Sequence, residues 1–358
     1  MLSRLRRRRG APQVAVQDAP DTLVLADHPG IEALLDAGDV QAAAALVAAA
    51  TSDPTADDVS RIELRLRNEA FRRASQVPAT DVEWPPQTTR EITCTNGIPD
   101  IPAAELDRDA LVAAVRGHGV LIVRGLFPEA VCADLRGMVD STMAAFEQDR
   151  QRVDPAWNTP LTDVNGQVLG ATHFRSFNHG AAGLSAADSP RSATYIIRAF
   201  QEVGLPELIG SYLGERPVLS LEKWTLRRVP PDTGSSWHQD GAFLGAEKHT
   251  INMWVALSDC GERASGLDIL ARRLDHIVPT GTPGAFFDWD VAPDVVDRER
   301  GSGLIVSPVF QAGDAVFFDQ YLLHKTGTQP GFTEDRYALE SWFFTPSSFP
   351  GHYSGLLL

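Results

Sequence analysis

The stretch "SSWHQDGAFLG", Ser235 to Gly245, sets a histidine and an aspartate two residues apart, just ahead of a glycine-bounded apolar turn. On a strand or at a strand end, residues i and i+2 project to the same side, so His238 and Asp240 can offer an imidazole and a carboxylate to one point. The triplet alone says little, because most such triplets arise by chance or serve turns and caps. Its meaning depends on a third ligand. The clearest candidate is His324 in "GDAVFFDQYLLHKTG", residues 313–327, which follows an apolar strand and a turn and can come from a neighbouring strand. Two histidines and one carboxylate on one face of an octahedral ion leave three positions open, the arrangement by which non-haem Fe(II) oxygenases admit O2 and a cosubstrate.

Twelve residues after His324, Arg336 opens the strand "RYALESWFF" beyond the turn "TGTQPGFTED". An arginine at the start of an interior strand is costly to bury unless it meets an anion, and its planar fork suits a carboxylate. The alternative is a solvated edge-strand arginine paired with Glu334 or Asp335, and the His/Asp/His set favours the anion. The organic anion this geometry suggests is 2-oxoglutarate, with its 1-carboxylate and keto oxygen on the metal and its far carboxylate on Arg336. Thr326, two residues after His324, can add a hydroxyl there.

Around this set the chain reads as short β runs after Pro217: "VLSLEKWTLRRV", "TINMWVAL", "GLDIL", "DAVFFD" and "RYALESWFF". Gly, Pro, Asp and Asn separate them, as in an all-β sandwich or barrel rather than alternating β-α units. Upstream, "ELDRDALVAAVRGHGVLIVRGLFPEAVCADLRGMVDSTMAAFEQ" predicts helix, strand, helix, and residues 23–75 carry helical spacing in two runs broken by "TSDPT". The latter predict a helical hairpin appendage that packs on its neighbour rather than a solenoid. Residues 1–22 are expected to be disordered, 76–103 to form a proline-rich surface linker, and 104–358 to form the catalytic domain. No dinucleotide glycine fingerprint, P-loop or nucleophile elbow appears in a supporting context.

With 32 basic against 47 acidic residues the net charge is −15, which argues against partners recognised through phosphate backbones or anionic membranes. A small-molecule substrate is expected instead. Cys94, Cys132 and Cys260 are isolated, so neither a disulfide framework nor a thiolate zinc site is suggested, and a cytoplasmic setting fits. Only three of the 32 basic residues are lysine, a usage that points to a GC-rich, bacterial genome.

The segments "WHQDGAF", "INMWVALSD", "GDAVFFDQYLLHKTG" and "RYALESWFF", in that order, resemble the phytanoyl-CoA dioxygenase family of Fe(II)/2-oxoglutarate oxygenases. The entry "VRGHGVLIVRGLFPEAVCADLRGMV" extends the resemblance over about residues 104–346. It implies a mainly β fold with flanking helices, a double-stranded β-helix or cupin-like jelly roll. It also implies iron on His238, Asp240 and His324, 2-oxoglutarate on Arg336 and Thr326, and Trp254 and Thr225 lining the cosubstrate pocket. Such enzymes use O2 to couple oxidation of a C–H bond to decarboxylation of 2-oxoglutarate, releasing succinate and CO2. Hydroxylation is the default expectation; desaturation, epoxidation and ring closure use the same centre. Asp240 disfavours halogenation, since related halogenases carry a small residue there.

The resemblance breaks at "SGLDILARRLDH", which has serine for the usual asparagine and lacks a Gly-Ser pair, so the substrate of the namesake does not carry over. Arg175 and Asn178, in the loop "ATHFRSFNHG", are expected substrate contacts, whereas its His173 and His179 are ascribed to local hydrogen bonds. Trp237, Phe243, Trp342 and Phe344 are assigned to ordinary β-core packing, and His28, His118, His249, His276 and His352 to surface or core. Two competing readings are a cupin-like metal oxygenase or isomerase that does not use 2-oxoglutarate, and a non-catalytic scaffold or sensor.

Overall fold

The computed structural model of the chain describes residues 22–77, 82–94, 97–148, 156–169 and 182–358. Residues 1–21, expected to be disordered, lie outside the described residues.

The N-terminal helical region comprises α1 (Ile31–Asp36), α2 (Val40–Ala50) and α3 (Ala56–Ala74), three helices rather than a hairpin of two. Gly38, at φ 72°, interrupts the first run, and Asp39 then caps α2 by accepting the Ala42 N–H at 3.1 Å. Thr55 and Asp58 form a reciprocal capping box at the start of α3. The entry to the main domain follows: β1 (Asp100–Pro102), α4 (Arg108–His118), β2 (Val120–Arg124) and α5 (Glu129–Gln148). Gly119, at φ 79°, ends α4 and turns the chain directly into β2. Next come β3 (Ala182–Ser185), α6 (Pro190–Glu202) and α7 (Leu205–Leu213).

The remaining strands build the barrel: β4 (Val218–Ser220), β5 (Thr225–Val229), β6 (Thr250–Ala256), β7 (Gly266–Ala271), β8 (Leu304–Val306), β9 (Ala315–Phe318), β10 (His324–Gly327), β11 (Arg336–Phe344) and β12 (Gly355–Leu357). Two short helices interrupt them, α8 (Gly241–Leu244) and α9 (Pro293–Arg300). Among the described residues the larger sheet runs β1-β2-β9-β6-β11-β4-β12, with β5 also on β11 and β3 on β5; the smaller sheet is β10-β7-β8. This is the expected double-stranded β-helix with flanking helices and an N-terminal helical appendage.

Alternation along the strands sorts side chains between two environments. On β6, Ile251, Met253 and Val255 join the core shared with α4 to α7, while Trp254 and Ala256 face the space between the sheets. On β11, Leu339 and Phe343 pack toward the helices and Ala338 toward the interior. Full burial of Phe317 and Phe343 stabilises this arrangement by about 1.5–3 kcal/mol each. The inward positions are left to line a cavity.

The appendage packs on the barrel through α3. Buried Arg67 donates to the Leu357 carbonyl at 2.9 Å and pairs with Glu63, and buried Asn68 donates to the Gly355 carbonyl at 2.9 Å. No helix among the described residues is long and apolar enough to cross a membrane.

Candidate metal and cosubstrate site

The two histidines of the sequence motif meet through the backbone. The His238 N–H donates to the His324 carbonyl at 3.0 Å and the His324 N–H returns the bond at 3.1 Å, which brings the rings to 4.4 Å between centroids. Asp240 does not continue the strand-like pairing of His238. It lies in the right-handed helical region, φ −63° and ψ −28°, immediately before α8. The Gly241 N–H donates to the Gln320 carbonyl at 2.8 Å, so a second tie holds the same two segments together. A Cβ at position 241 would sit 2.8 Å from that carbonyl oxygen, which is why glycine follows the aspartate. Gln239, between the putting-together ends of the motif, is fully buried and faces elsewhere: its amide donates to the carbonyls of His276 and Tyr321 and accepts the Val278 N–H.

One ligand atom from each of His238, Asp240 and His324 lies within 4.8 Å of the others, a spacing that can hold a metal ion. Nδ1 of His238 is 2.9 Å from the Ser236 carbonyl and Nδ1 of His324 is 3.1 Å from the Leu322 carbonyl. A carbonyl needs a proton there, which leaves the Nε2 lone pairs for coordination. Burial and the neighbouring His324 depress the His238 pKa to about 4, so the ring is held neutral, the form a metal requires. Asn252 donates to Asp240 Oδ2 at 2.8 Å and orients the carboxylate.

The same inward faces form a cavity of about 510 Å³. His238, Asp240, His324, Arg336, Thr326 and Trp254 all line it. Arg336 is 1% exposed; Nη1 donates to the Gly266 carbonyl at 2.9 Å, while Nε is buried without a hydrogen-bond partner. Its guanidinium lies 5.6 Å from the centre of the Trp254 ring. Burial lowers the Arg336 pKa to about 10, which leaves it charged at neutral pH. The acidic neighbours weighed as its surface partners are engaged elsewhere, Glu334 with Arg263 and Asp335 with Arg228. A buried guanidinium with an orphaned donor, opening on a cavity beside a His/Asp/His cluster, fits an anionic chelator of the metal.

Other sequence expectations divide. Thr225 is buried on β5 but does not line the cavity; Arg227, two residues along, does, in an ion pair with Glu340 at 2.6 Å. Phe243 and Trp342, assigned from sequence to core packing, line the cavity, as does His352, whereas Phe344 is wholly buried. These three face the barrel interior because α8, β11 and the segment before β12 close one end of it. Arg175, Asn178, His173 and His179 lie outside the described residues. Asn252, Arg227, Glu340 and Lys223 line the cavity and escaped the sequence reading.

No curated protein matches the chain. Among solved structures, it is similar to AviO1 from Streptomyces viridochromogenes Tue57 at 19% identity, over 68% of this chain and 98% of that one, with a TM-score of 0.45. It is also similar to the non-heme alpha ketoglutarate dependent carbocyclase SnoK from nogalamycin biosynthesis at 15% identity, over 72% and 94% of the two chains, with a TM-score of 0.45. EctD from S. alaskensis, crystallised with 2-oxoglutarate and 5-hydroxyectoine, is 18% identical over 72% and 80%, with a TM-score of 0.46. The family model described as Phytanoyl-CoA dioxygenase (PhyH) matches residues 115–330, well over half the chain, and the protein belongs to this family of oxygenases that use iron and 2-oxoglutarate.

Proposed function

We propose that the protein hydroxylates a C–H bond of a small organic substrate, with iron held by His238, Asp240 and His324. The observation that carries this reading is the approach of these three side chains within 4.8 Å in a cavity shared with buried Arg336. When bound, iron and 2-oxoglutarate supply the oxidising chemistry: one atom of O2 enters succinate, formed with loss of CO2, and the other enters the substrate as a hydroxyl.

The protein's own part is placement. Arg336 fixes the far carboxylate of 2-oxoglutarate, and the Thr326 hydroxyl adds a second contact from β10. Trp254 supports the guanidinium face and walls the cosubstrate from the core. Asn252 and the paired carbonyls of Ser236 and Leu322 hold the metal-binding groups in register, so that little reorganisation accompanies binding.

The test is anaerobic titration of the Fe(II)-loaded protein with 2-oxoglutarate, read by the visible charge-transfer band that keto-acid chelation produces. The band is expected in the wild type, absent in Asp240→Ala, and shifted to much higher 2-oxoglutarate concentration in Arg336→Ala. A folded, iron-loaded wild type with no band rejects the 2-oxoglutarate site and leaves a cupin-like metal enzyme as the better account.

A further inference from the structure

Beyond the metal-binding groups and Arg336, the cavity is lined by a further carboxylate, that of Glu222 on the turn between β4 and β5. Two backbone ties fix its place. The Leu221 N–H donates to the Ser354 carbonyl at 2.9 Å, and the Ser354 N–H donates to the Glu222 carboxylate, 2.9 Å from Oε1 and 3.0 Å from Oε2. The Ser220 hydroxyl adds a long contact at 3.4 Å. Ser354 directly follows His352 and Tyr353, which line the same cavity, so the carboxylate and this segment form one wall.

This carboxylate is short of positive charge. Glu340, the other glutamate of the cavity, is paired with Arg227 at 2.6 Å, whereas among the described residues Glu222 forms no ion pair. Lys223, next in sequence, directs its ammonium to the Phe243 and Trp342 rings at 4.3 and 5.2 Å. One N–H shared between two oxygens and one long hydroxyl contact leave acceptor positions of the carboxylate unfilled. Burial raises the Glu222 pKa, because no neighbouring cation offsets the desolvation of its charge.

The rings complete the setting. Phe243 meets the His238 ring edge-on at 6.5 Å, so it borders both the metal-binding groups and the turn that carries Glu222 and Lys223. Aromatic faces attract cations and apolar bodies and offer an anion nothing.

We infer that Glu222 receives a protonated amine of the substrate, which makes the substrate an organic ammonium whose apolar body lies along Phe243 and Trp342. This deepens the functional reading and rests on it for the place of the reacting carbon near the metal. An ammonium supplies both a donor for the open acceptor positions and the charge that Glu222 lacks; a hydroxyl supplies the donor alone. A charge-assisted contact with a carboxylate already held in place changes affinity by roughly tenfold to a hundredfold.

The experiment uses the full chain and two probes of equal length, 4-phenylbutylamine, a cation at neutral pH, and the neutral 4-phenyl-1-butanol, with binding read by tryptophan fluorescence. Two states are compared: the wild type with Zn(II) and saturating 2-oxoglutarate, and metal-free Asp240→Asn, in which position 240 carries no charge to attract the amine. The amine is expected to bind at least about tenfold more tightly than the alcohol in both. That preference should vanish in Glu222→Gln, which keeps an acceptor for the Ser354 N–H, and survive in Glu340→Gln. Equal binding by the wild type or a tighter alcohol overturns the inference without any variant at position 222. A preference that persists in Glu222→Gln, or is lost in Glu340→Gln alone, overturns it as well. If the charge-transfer band fails while the amine preference holds in metal-free Asp240→Asn, the cosubstrate assignment falls and the amine site stands; a band without the preference rejects only the amine site.

Discussion

Asn252 on β6 donates its side-chain amide to Asp240 Oδ2 at 2.8 Å, twelve residues away in sequence and buried with it. A carboxylate can only accept, so the amide's nitrogen end must face it, and the Asn252 carbonyl oxygen is left buried without a partner. This bond fixes which carboxylate oxygen is presented toward the histidines. Asn252→Leu is expected to weaken Fe(II) affinity by about tenfold to a hundredfold while the protein stays folded. Anaerobic metal titration checks this, and unchanged affinity would show that Asp240 needs no such support.

Arg336 makes the opposite kind of prediction, a gain of stability on removal. Its buried charge has one carbonyl partner among the described residues, so the protein without ligand carries a desolvation cost that a bound carboxylate would offset. Arg336→Met should melt at or above the wild-type temperature without ligands, yet gain nothing when 2-oxoglutarate is added. Arg336→Lys should keep the charge, lose the fork, and raise the 2-oxoglutarate dissociation constant by about tenfold or more. Thermal shift with and without the keto acid distinguishes the two variants.

His249 supplies a pH dependence remote from the candidate ligands. It stacks on Trp84 with centroids 4.4 Å apart and planes 16° from parallel, and Nδ1 is buried without a partner. Burial lowers its pKa below the ordinary histidine value. The unfolded chain then binds the proton more readily, so this site's contribution is present above about pH 6.5 and is lost as pH falls below it. Denaturant midpoints measured from pH 7.5 down to 5 should fall less steeply in His249→Phe than in the wild type.

The contact between α3 and β12 gives a stability prediction. Asn68→Ala would orphan the buried Gly355 carbonyl and should cost about 1–3 kcal/mol of unfolding free energy. Because β12 follows the segment carrying Tyr353 to the cavity, the loss should also raise amide exchange at residues 352–357. A variant with wild-type stability and exchange would reduce the N-terminal helices to a passive covering.

The elements that carry the candidate site were legible because they announce themselves locally. His238, Asp240, His324 and Arg336 are polar groups set in or beside apolar runs, an expensive pattern that needs a reason, and the structure brings all four to one cavity. Asn252 was illegible because every residue of β6 is buried, so no hydrophobic alternation marked which positions face inward. The Arg227–Glu340 pair depends on β5 and β11 lying side by side, a registry that no local window contains. Lys223 sits in a turn between strands and acquires its rings from Phe243 and Trp342, which are distant in sequence. The break between α1 and α2 turns on one glycine, a smaller signal than the helical periodicity around it.

The hydrogen bond from Arg67 to the Leu357 carbonyl spans 290 positions. A helix made early in synthesis therefore waits for nearly the whole domain before its buried guanidinium finds that acceptor. Such long-range closure is slow, because the entropy of joining distant segments must be lost before the contact returns any energy. During translation α3 carries an amphipathic face and an arginine whose final site does not yet exist, so the nascent chain passes through a period when that face is open to chaperones or to wrong partners. Tyr353 follows every other residue that lines the cavity in the chain, so the wall that bears it can close only after the strands carrying the candidate ligands have been made.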